Sequence, residues 1–404
     1  MRSVEQHQRA VAELITAHAP AATPLTDAHG LVLARDVTAP VPLPVFDNSA
    51  MDGYAVRAQD VVSATTERPV TLPVADDIPA GRTDIPTLKP GTAHRIMTGA
   101  PLPVGATAVV PVEDTDGRTD TVSIRVPAAA GRHIRHAGED VPAGTTVLRA
   151  GQVITPAMLG LAAALGLAEL TVIPRQRVLV ISTGSELVPP GAPLRPGQIY
   201  ESNSVMLAAA VRDAGAAVVA TPTAGDDVAQ FAAVLDRYAA DADLIITSGG
   251  VSAGAYEVVK DTFGRSGDRG VEFVKVAMQP GMPQGIGQVA GTPIVTLPGN
   301  PVSALVSFEV FIRPALRRAM GLPDPQRPRR TATLTETLSS PRGKRQFRRG
   351  LFDPATGTVS GYGPPGSHHL RYLATANCLL DIPEDVLEVP AGTQLQIWDL
   401  GSVR

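Results

Sequence analysis

The chain has almost no cysteine: Cys378 is the only one in 404 residues. A single thiol excludes an internal disulfide framework and any zinc cluster built on cysteines, and it suits a reducing cytoplasm. No second group of histidines accompanies His133 and His136, so zinc is not expected there either. A strong charge of one sign is also missing. The formal net charge of −4 argues against general attraction to nucleic acid or to anionic lipid. No long apolar run occurs. The most membrane-like stretch, residues 150–168, holds Gln152, Pro156 and three glycines, with Glu169 immediately after it. It reads as a packed, Ala-rich helix capped by Thr155 with Pro156 in its first turn. The opening residues form an amphipathic pattern with Ser3 as cap and Val4, Val11, Leu14 and Ile15 on one side, not a leader peptide. Neither a Walker lysine loop nor a G-x-G-x-x-G fingerprint is present, and "TGSEL" and "GGVSAG" lack the G-x-S-x-G spacing. The usual nucleotide loops are thereby excluded, and a hydrolase nucleophile has no support. The expectation is a cytoplasmic protein with no membrane span and no nucleic-acid partner.

What is present is apolar content of 44% over a length that calls for two to four domains. The 38 Gly and 37 Pro are spread along the chain without a collagen-like period, which reads as many turns between short strands. Residues 46–144 are punctuated in this way and predict a β-rich domain. It is flanked by residues 1–45 and 145–176, whose helices are expected to pack together as a discontinuous N-terminal, dimerisation domain. From residue 177 to 325 the texture changes. "RVLVIST", "AAVVATPTA", "DLIITS" and "TPIVTLPG" are buried-type strands, and "NSVMLAAAVRDAG", "DDVAQFAAVLDRYAA" and "NPVSALVSFEVFIRPALRRAM" are helices. This alternation predicts a mostly parallel sheet covered on both faces. Residues 326–404 return to short strands and predict a C-terminal β-barrel-like domain.

In an open α/β sheet, ligands bind beyond the carboxyl ends of the strands. The strand ends here carry Thr183, Gly184 and Glu186; then Asp226 and Asp227; then Ser248, Gly249, Gly250, Ser252 and Glu257; then Pro298, Gly299, Asn300, Pro301 and Ser303. Small residues with free backbone N–H groups suit an anion, and Asn300–Pro301 opens a helix whose positive end points at it. Any one such loop is more often an ordinary strand-to-helix turn, but four at one sheet edge favour a ligand. Glu186, Asp226 and Glu257 are positioned to gather around Mg²⁺, which is usually shared with substrate phosphates. One of Asp226 and Asp227 is expected to be a helix cap. The Arg/Lys-rich residues 313–349 read as a solvated linker; "GKRQFRRG" has a single aromatic, which places nucleic acid low.

Six stretches, "NSAMDGYAV", "RIMTGAPLPVGATAVVPVED", "RHAGEDVPAG", "STGSELV", "SGGVSAG" and "LPGNPVSAL", occur in an order that resembles the molybdopterin molybdenumtransferase family, of MoeA type and including the E domain of gephyrin. The resemblance covers essentially the whole chain. It implies a homodimer of four-domain subunits with active sites shared between subunits. It also implies the last step of molybdenum cofactor synthesis: adenylylated molybdopterin binds, molybdate is delivered to its dithiolene, and AMP is released. By motif, Asp52, Thr98, Arg135 and Asp140 are expected on one wall, with Glu186, Asp226, Lys275, Pro298 and Pro301 on the other. Arg349 and Ser367 are expected to face the cleft from the C-terminal domain and to handle molybdate. Asp52, Asp140, Glu186 and Lys275 are the expected catalytic set. A molybdopterin adenylyltransferase is an expected partner.

Three departures from the family pattern stand out. Ser185 replaces an Asp, Glu257 an Asp, and "QPGMP" replaces "KPGKP", so that Gln279 and Met282 stand for two lysines. Each lost charge-assisted contact is worth on the order of 1.5–3 kcal/mol. Two alternatives follow: an adenylyltransferase, which shares the α/β domain, and a catalytically degenerate scaffold paralogue.

Overall fold

The protein is described from a computed structural model, covering residues 1–250, 258–264 and 270–401. The chain folds into two compact units. One comprises residues 1–21, 30–34 and 171–404, and the other residues 22–29 and 35–170.

The first unit is built on a sheet whose strand order is Ala217–Ala220, Arg177–Thr183, Leu244–Ser248, Thr292–Leu297, Pro283–Val289 and Val271–Lys275. The strands at 177–183, 217–220, 244–248 and 292–297 run parallel. The predicted parallel sheet is therefore present, and an antiparallel edge of 283–289 and 271–275 extends it. That edge carried no clear sequence signal because Gly285 and Gly287 interrupt the apolar pattern. A Cβ at Gly287 would meet the Gly270 carbonyl at 1.9 Å, so only glycine lets the two backbones approach here.

Both faces of the sheet are apolar, as continuous Val/Ile/Leu runs require. Val178 and Val180 point into one core with the Asn203–Asp213 helix and the helical run 301–319. Leu179 and Ile181 point into the other, with the Val228–Tyr238 and Val258–Phe263 helices. The 301–319 run widens to π-type geometry over Phe308–Ile312 and so accommodates Pro314. Its buried Glu309 accepts from Arg327 at 2.9 Å, and Arg313 and Arg327 reach Asp213 at 2.6 and 2.7 Å.

The N-terminal helix Val4–Leu14 has the predicted Ser3 capping box. Its expected partner was the helix near residue 160, but Val4, Val11 and Ile15 are buried in the first unit's core beside Phe308, Phe311 and Leu316. The Pro156–Ala164 helix belongs to the second unit. The apolar stripe of the N-terminal helix needs a large apolar surface, and the 301–319 run offers one.

The C-terminal strands Arg345–Asp353, Thr358–Gly361, Arg329–Leu334, Gln394–Asp399 and Cys378–Ile382 pair in that order, and the last returns to the first. This closes the barrel that the sequence predicted. Phe347, Leu379 and Trp398 join the α/β core rather than a private one, so barrel and sheet form one compact body. Cys378 is buried in the barrel, and burial pushes its thiol up to about 12, which makes it unreactive.

The second unit carries a five-stranded sheet ordered Ala108–Pro111, Gly53–Val56, Ala93–Ile96, Val70–Ile78 and Thr121–Ile124, the predicted β-rich part. Among the described residues no helix is long and apolar enough to cross a membrane.

Candidate active site

In the first unit the carboxyl ends of the parallel strands open into a cleft of about 1110 Å³. Most of the residues singled out at those strand ends line it: Thr183, Gly184, Glu186, Asp226, Ser248, Gly249, Gly250, Pro298, Gly299, Asn300, Pro301 and Ser303, joined by Ser367. Ser252 and Glu257 lie outside the described residues. The loops are fitted backbone to backbone. Gly249 has φ +97° and Gly250 φ +67°, and a Cβ on Gly299 would touch the Gly249 Cα at 3.4 Å. Asn300 opens the helix without a side-chain cap bond. Its amide instead donates to Ser367 Oγ at 2.9 Å, while the Val302 N–H donates to the Ser367 carbonyl at 3.1 Å. The barrel loop is thus tied to the helix start.

Two residues that sequence reasoning missed organise this floor. Glu201 is buried and lines the cleft. It accepts from the Ser182 hydroxyl and the Ser204 N–H, both at 2.7 Å, and from the Ser204 hydroxyl. Asn203 donates to Ser248 Oγ and to the Gly299 carbonyl, both at 2.7 Å, and so clamps two anion-type loops together. Asn203 opens the predicted helix "NSVMLAAAVRDAG", and no local pattern shows what a helix-start amide will reach across the sheet.

The carboxylates divide their work. Asp227 is the helix cap, accepting from the Gln230 N–H at 2.9 Å. Asp226 accepts from the Ser185 N–H at 3.0 Å, and the Ser185 hydroxyl accepts from the Asp226 N–H at 3.0 Å. The serine at 185 is thereby explained: it locks the Asp226 loop. Glu186 folds back over Gly184, where a Cβ would meet its carboxylate oxygens at 2.5 and 2.7 Å. Among the described residues no group of three or more metal-ligating side chains forms. Glu186 and Asp226 share one cleft, however, and one or two carboxylates completed by phosphate oxygens is how Mg²⁺ is commonly held.

Positive charge is sparse here. Among the lysines and arginines of the described residues, Lys344 alone lines the cleft. It was read from sequence only as part of a solvated basic run, and the closure of the barrel is what brings it in. Two expectations are corrected. Lys275 sits at the exposed end of its strand and does not line the cleft. Arg349, expected at the oxyanion, is 3% exposed and donates to the carbonyls of Gly366 at 3.1 Å, His369 at 3.3 Å and Pro364. It braces the loop that carries Ser367. Burial, followed by the neighbouring Arg348 charge, lowers its pKa.

In the second unit three motifs converge. Asn48–Ser49 pairs antiparallel with Ile134–Arg135, and the Ser49 N–H donates to the Ala100 carbonyl at 3.1 Å. Asp52 accepts from both the N–H and the hydroxyl of Thr98 at 2.7 Å; these bonds, the N–H first, hold its exposed carboxyl below the usual carboxylate range. Asp47 accepts from the Ala137 N–H at 2.8 Å and lies 3.2 Å from His136 Nδ1. Arg135 and Asp140 are exposed on the same motif. Asp52 and Thr98 are thus bonded directly, Arg135 is held in register with Asn48, and the Asp140 N–H is tied to the Leu43 carbonyl at 3.0 Å.

Family models match almost the entire chain: the MoeA N-terminal region, domains I and II, over residues 2–166; a probable molybdopterin binding domain over 179–318; and the MoeA C-terminal region, domain IV, over 331–400. The chain is 76% identical over 404 residues to molybdopterin molybdenumtransferase 2 of Mycobacterium tuberculosis, covering 99% of this chain and all of that one. It is 35% identical over 378 residues to the molybdopterin molybdenumtransferase of Haemophilus influenzae, covering 92% of each. The crystal structure of a molybdopterin biosynthesis MoeA protein from Pyrococcus horikoshii superposes with a TM-score of 0.76 at 29% identity, over 98% of each chain.

Proposed function

The chain belongs to the MoeA family of molybdopterin molybdenumtransferases, and from that premise we propose that it inserts molybdate into adenylylated molybdopterin with release of AMP, the last step of molybdenum cofactor biosynthesis. The observation that carries this reading is the full-length match to named molybdenumtransferases. The cleft geometry supports it.

The cleft chemistry suits a phosphoanhydride. At the Gly249–Gly250 turn and the helix opening at Pro301, the Gly249 N–H is used by the Leu297 carbonyl and the Val302 N–H by the Ser367 carbonyl, so the donors offered to an anion are the N–H groups of Gly250 and Ser303, both on residues that line the cleft. Glu186 and Asp226 would hold Mg²⁺, which supplies neutralisation of the phosphate charge when bound. Lys344 and the hydroxyls of Ser367 and Ser303 face the same space and provide cationic and hydroxyl donors for the second oxyanion, molybdate. Asp52, kept ionised by Thr98, is the acid of the other wall, with Thr98, Arg135 and Asp140 beside it in the chain's second unit. We read the active enzyme as a cytoplasmic homodimer, in which a wall from one subunit meets a cleft from the other.

The test is AMP release from adenylylated molybdopterin with Mg²⁺, with and without molybdate. Release that depends on molybdate is expected. Transfer of AMP onto molybdopterin from ATP, without molybdate-dependent release, would instead identify an adenylyltransferase. If Asp52→Ala rescued a molybdoenzyme-deficient strain as well as native protein did, the catalytic reading would be lost.

A further inference from the structure

We propose that Gln279 is an uncharged donor to a tetrahedral oxyanion in the cleft, and that Gln346 is the positioning residue that turns it there. The inference rests on the reading of this cleft as an oxyanion site. The relevant amides are register partners: Met278–Gln279 pairs in parallel with Arg345–Gln346, Gln279 opposite Gln346. The Arg345 N–H donates to the Ala277 carbonyl at 2.9 Å, so both backbones are fixed. Gln346 is 4% exposed, and its Nε2 donates to Gln279 Oε1 at 2.8 Å.

An amide has one accepting and one donating end. With Gln279 Oε1 engaged by Gln346, its remaining polar end is the Nε2 group, on a residue that lines the cleft. The direction of the pair follows from its surroundings. Gln346 shares a small cavity of about 10 Å³ with Arg348 and Arg349. Its Oε1 is buried and accepts no hydrogen bond from the described residues, and the buried Arg348 Nε donates none to them. The negative end of the Gln346 dipole belongs with guanidinium groups, which leaves its N–H for Gln279. The two amides then pass the positive potential of the buried Arg349 and the half-buried Arg348 into a cleft lined by the carboxylates Glu186, Glu201 and Asp226, where Lys344 is the one lysine or arginine among the described residues. Reversing both amides would turn the Gln346 N–H group toward the guanidinium groups and the Gln279 carbonyl oxygen toward the anion, donor against donor at one end and acceptor against anion at the other.

The oxyanion is either molybdate or a phosphate of the nucleotide, and two measurements separate them. At saturating adenylylated molybdopterin, the half-saturating molybdate concentration is measured by AMP release; AMP binding is measured by calorimetry on the same variants. Gln279→Leu and Gln279→Glu are expected to raise one of these constants about tenfold or more, the scale of one hydrogen bond to a charged acceptor, with kcat changing less. Gln346→Leu is expected to do the same, because Gln279 loses its orientation. Gln279→Lys should keep the native constant or lower it, because a charged donor replaces an uncharged one. So should Gln279→Lys combined with Gln346→Leu, since an ammonium is a point charge that needs no partner to aim it. A purely structural amide pair would fail that rescue. Thermal melts confirm that each variant is folded. A shift in the molybdate constant assigns Gln279 to molybdate, and a shift in AMP binding assigns it to the phosphate. If neither moves in folded variants, Gln279 is not a donor, whereas native protein that releases no AMP with molybdate defeats the functional reading and leaves the AMP titration to judge Gln279.

Discussion

Gly249 has φ +97°, and a Cβ built there would stand 2.7 Å from both the carbonyl oxygen and Oγ1 of Thr183. Gly249→Ala therefore strains the backbone and displaces the loop, at a cost of about 1–3 kcal/mol. AMP affinity is expected to fall at least about tenfold, as calorimetry would measure; unchanged AMP binding would take the Gly249–Gly250 turn out of the anion site. Asn203→Ala removes the donor shared by Ser248 Oγ and the Gly299 carbonyl. Ser248 is buried and loses its partner there, whereas Gly299 is exposed and water can replace the amide, so urea unfolding should show a loss of about 1–3 kcal/mol that comes chiefly from Ser248, together with weaker AMP binding. These two residues differ in how far sequence reveals them. A glycine pair ending a strand carries its geometric meaning locally, as do Asn300 and Pro301. Asn203 and Glu201 act through atoms contributed by other strands, and Lys344 reaches the cleft only after the barrel closes. Arg349 shows the reverse error: a cation in a site motif was read as a ligand contact, and the folded chain uses it on three loop carbonyls.

Elements were legible where a period was clean. The buried parallel strands and the helices between them follow from continuous apolar runs, and the closing strand "CLLDI" from its own. The glycine-rich edge strand 283–289 was not legible, because glycine hides the period that packing would reveal. The N-terminal helix was legible as a helix but not in its partner. It buries His7 against Phe311, with ring centroids 4.6 Å apart, and neither ring nitrogen has a partner among the described residues. Burial, reinforced by the Arg2 charge, lowers the His7 pKa to about 3. In the unfolded chain His7 titrates near the ordinary value, so the unfolded state takes up its proton first as pH falls. The stability this helix contributes is therefore complete above pH 6.5 and is lost as pH drops from there toward 3, by up to about 1.4 kcal/mol per pH unit. Urea unfolding of native protein and of His7→Met between pH 7 and 4 would measure it. The native curve should fall more steeply than that of the variant, and parallel curves would mean that His7 is hydrated or partnered in solution.

At the scale of the whole molecule, the candidate residues fall into two sets on two compact units of one chain: Glu186, Asp226 and the glycine loops on one, and Asp52, Thr98, Arg135 and Asp140 on the other. The sequence order of the motifs named the sets but not the way in which they combine, since chain order carries no information about which copy supplies which wall. A symmetric dimer with shared sites makes a prediction that a monomer, or a dimer with sites within each chain, does not. Asp52→Asn disables one wall and Glu186→Gln the other, so each homodimer should lose molybdate-dependent AMP release by at least about a hundredfold, the scale on which a positioned acid or charge contributes. When the two variants are unfolded, mixed in equal amounts and refolded, about half of the dimers are mixed. In each mixed dimer one site carries both substitutions and the other carries neither. Activity should return to about a quarter of native, with a sedimentation profile of a dimer. Sites contained within one chain would leave the mixture as inactive as its parts, because every site would still carry one of the two substitutions.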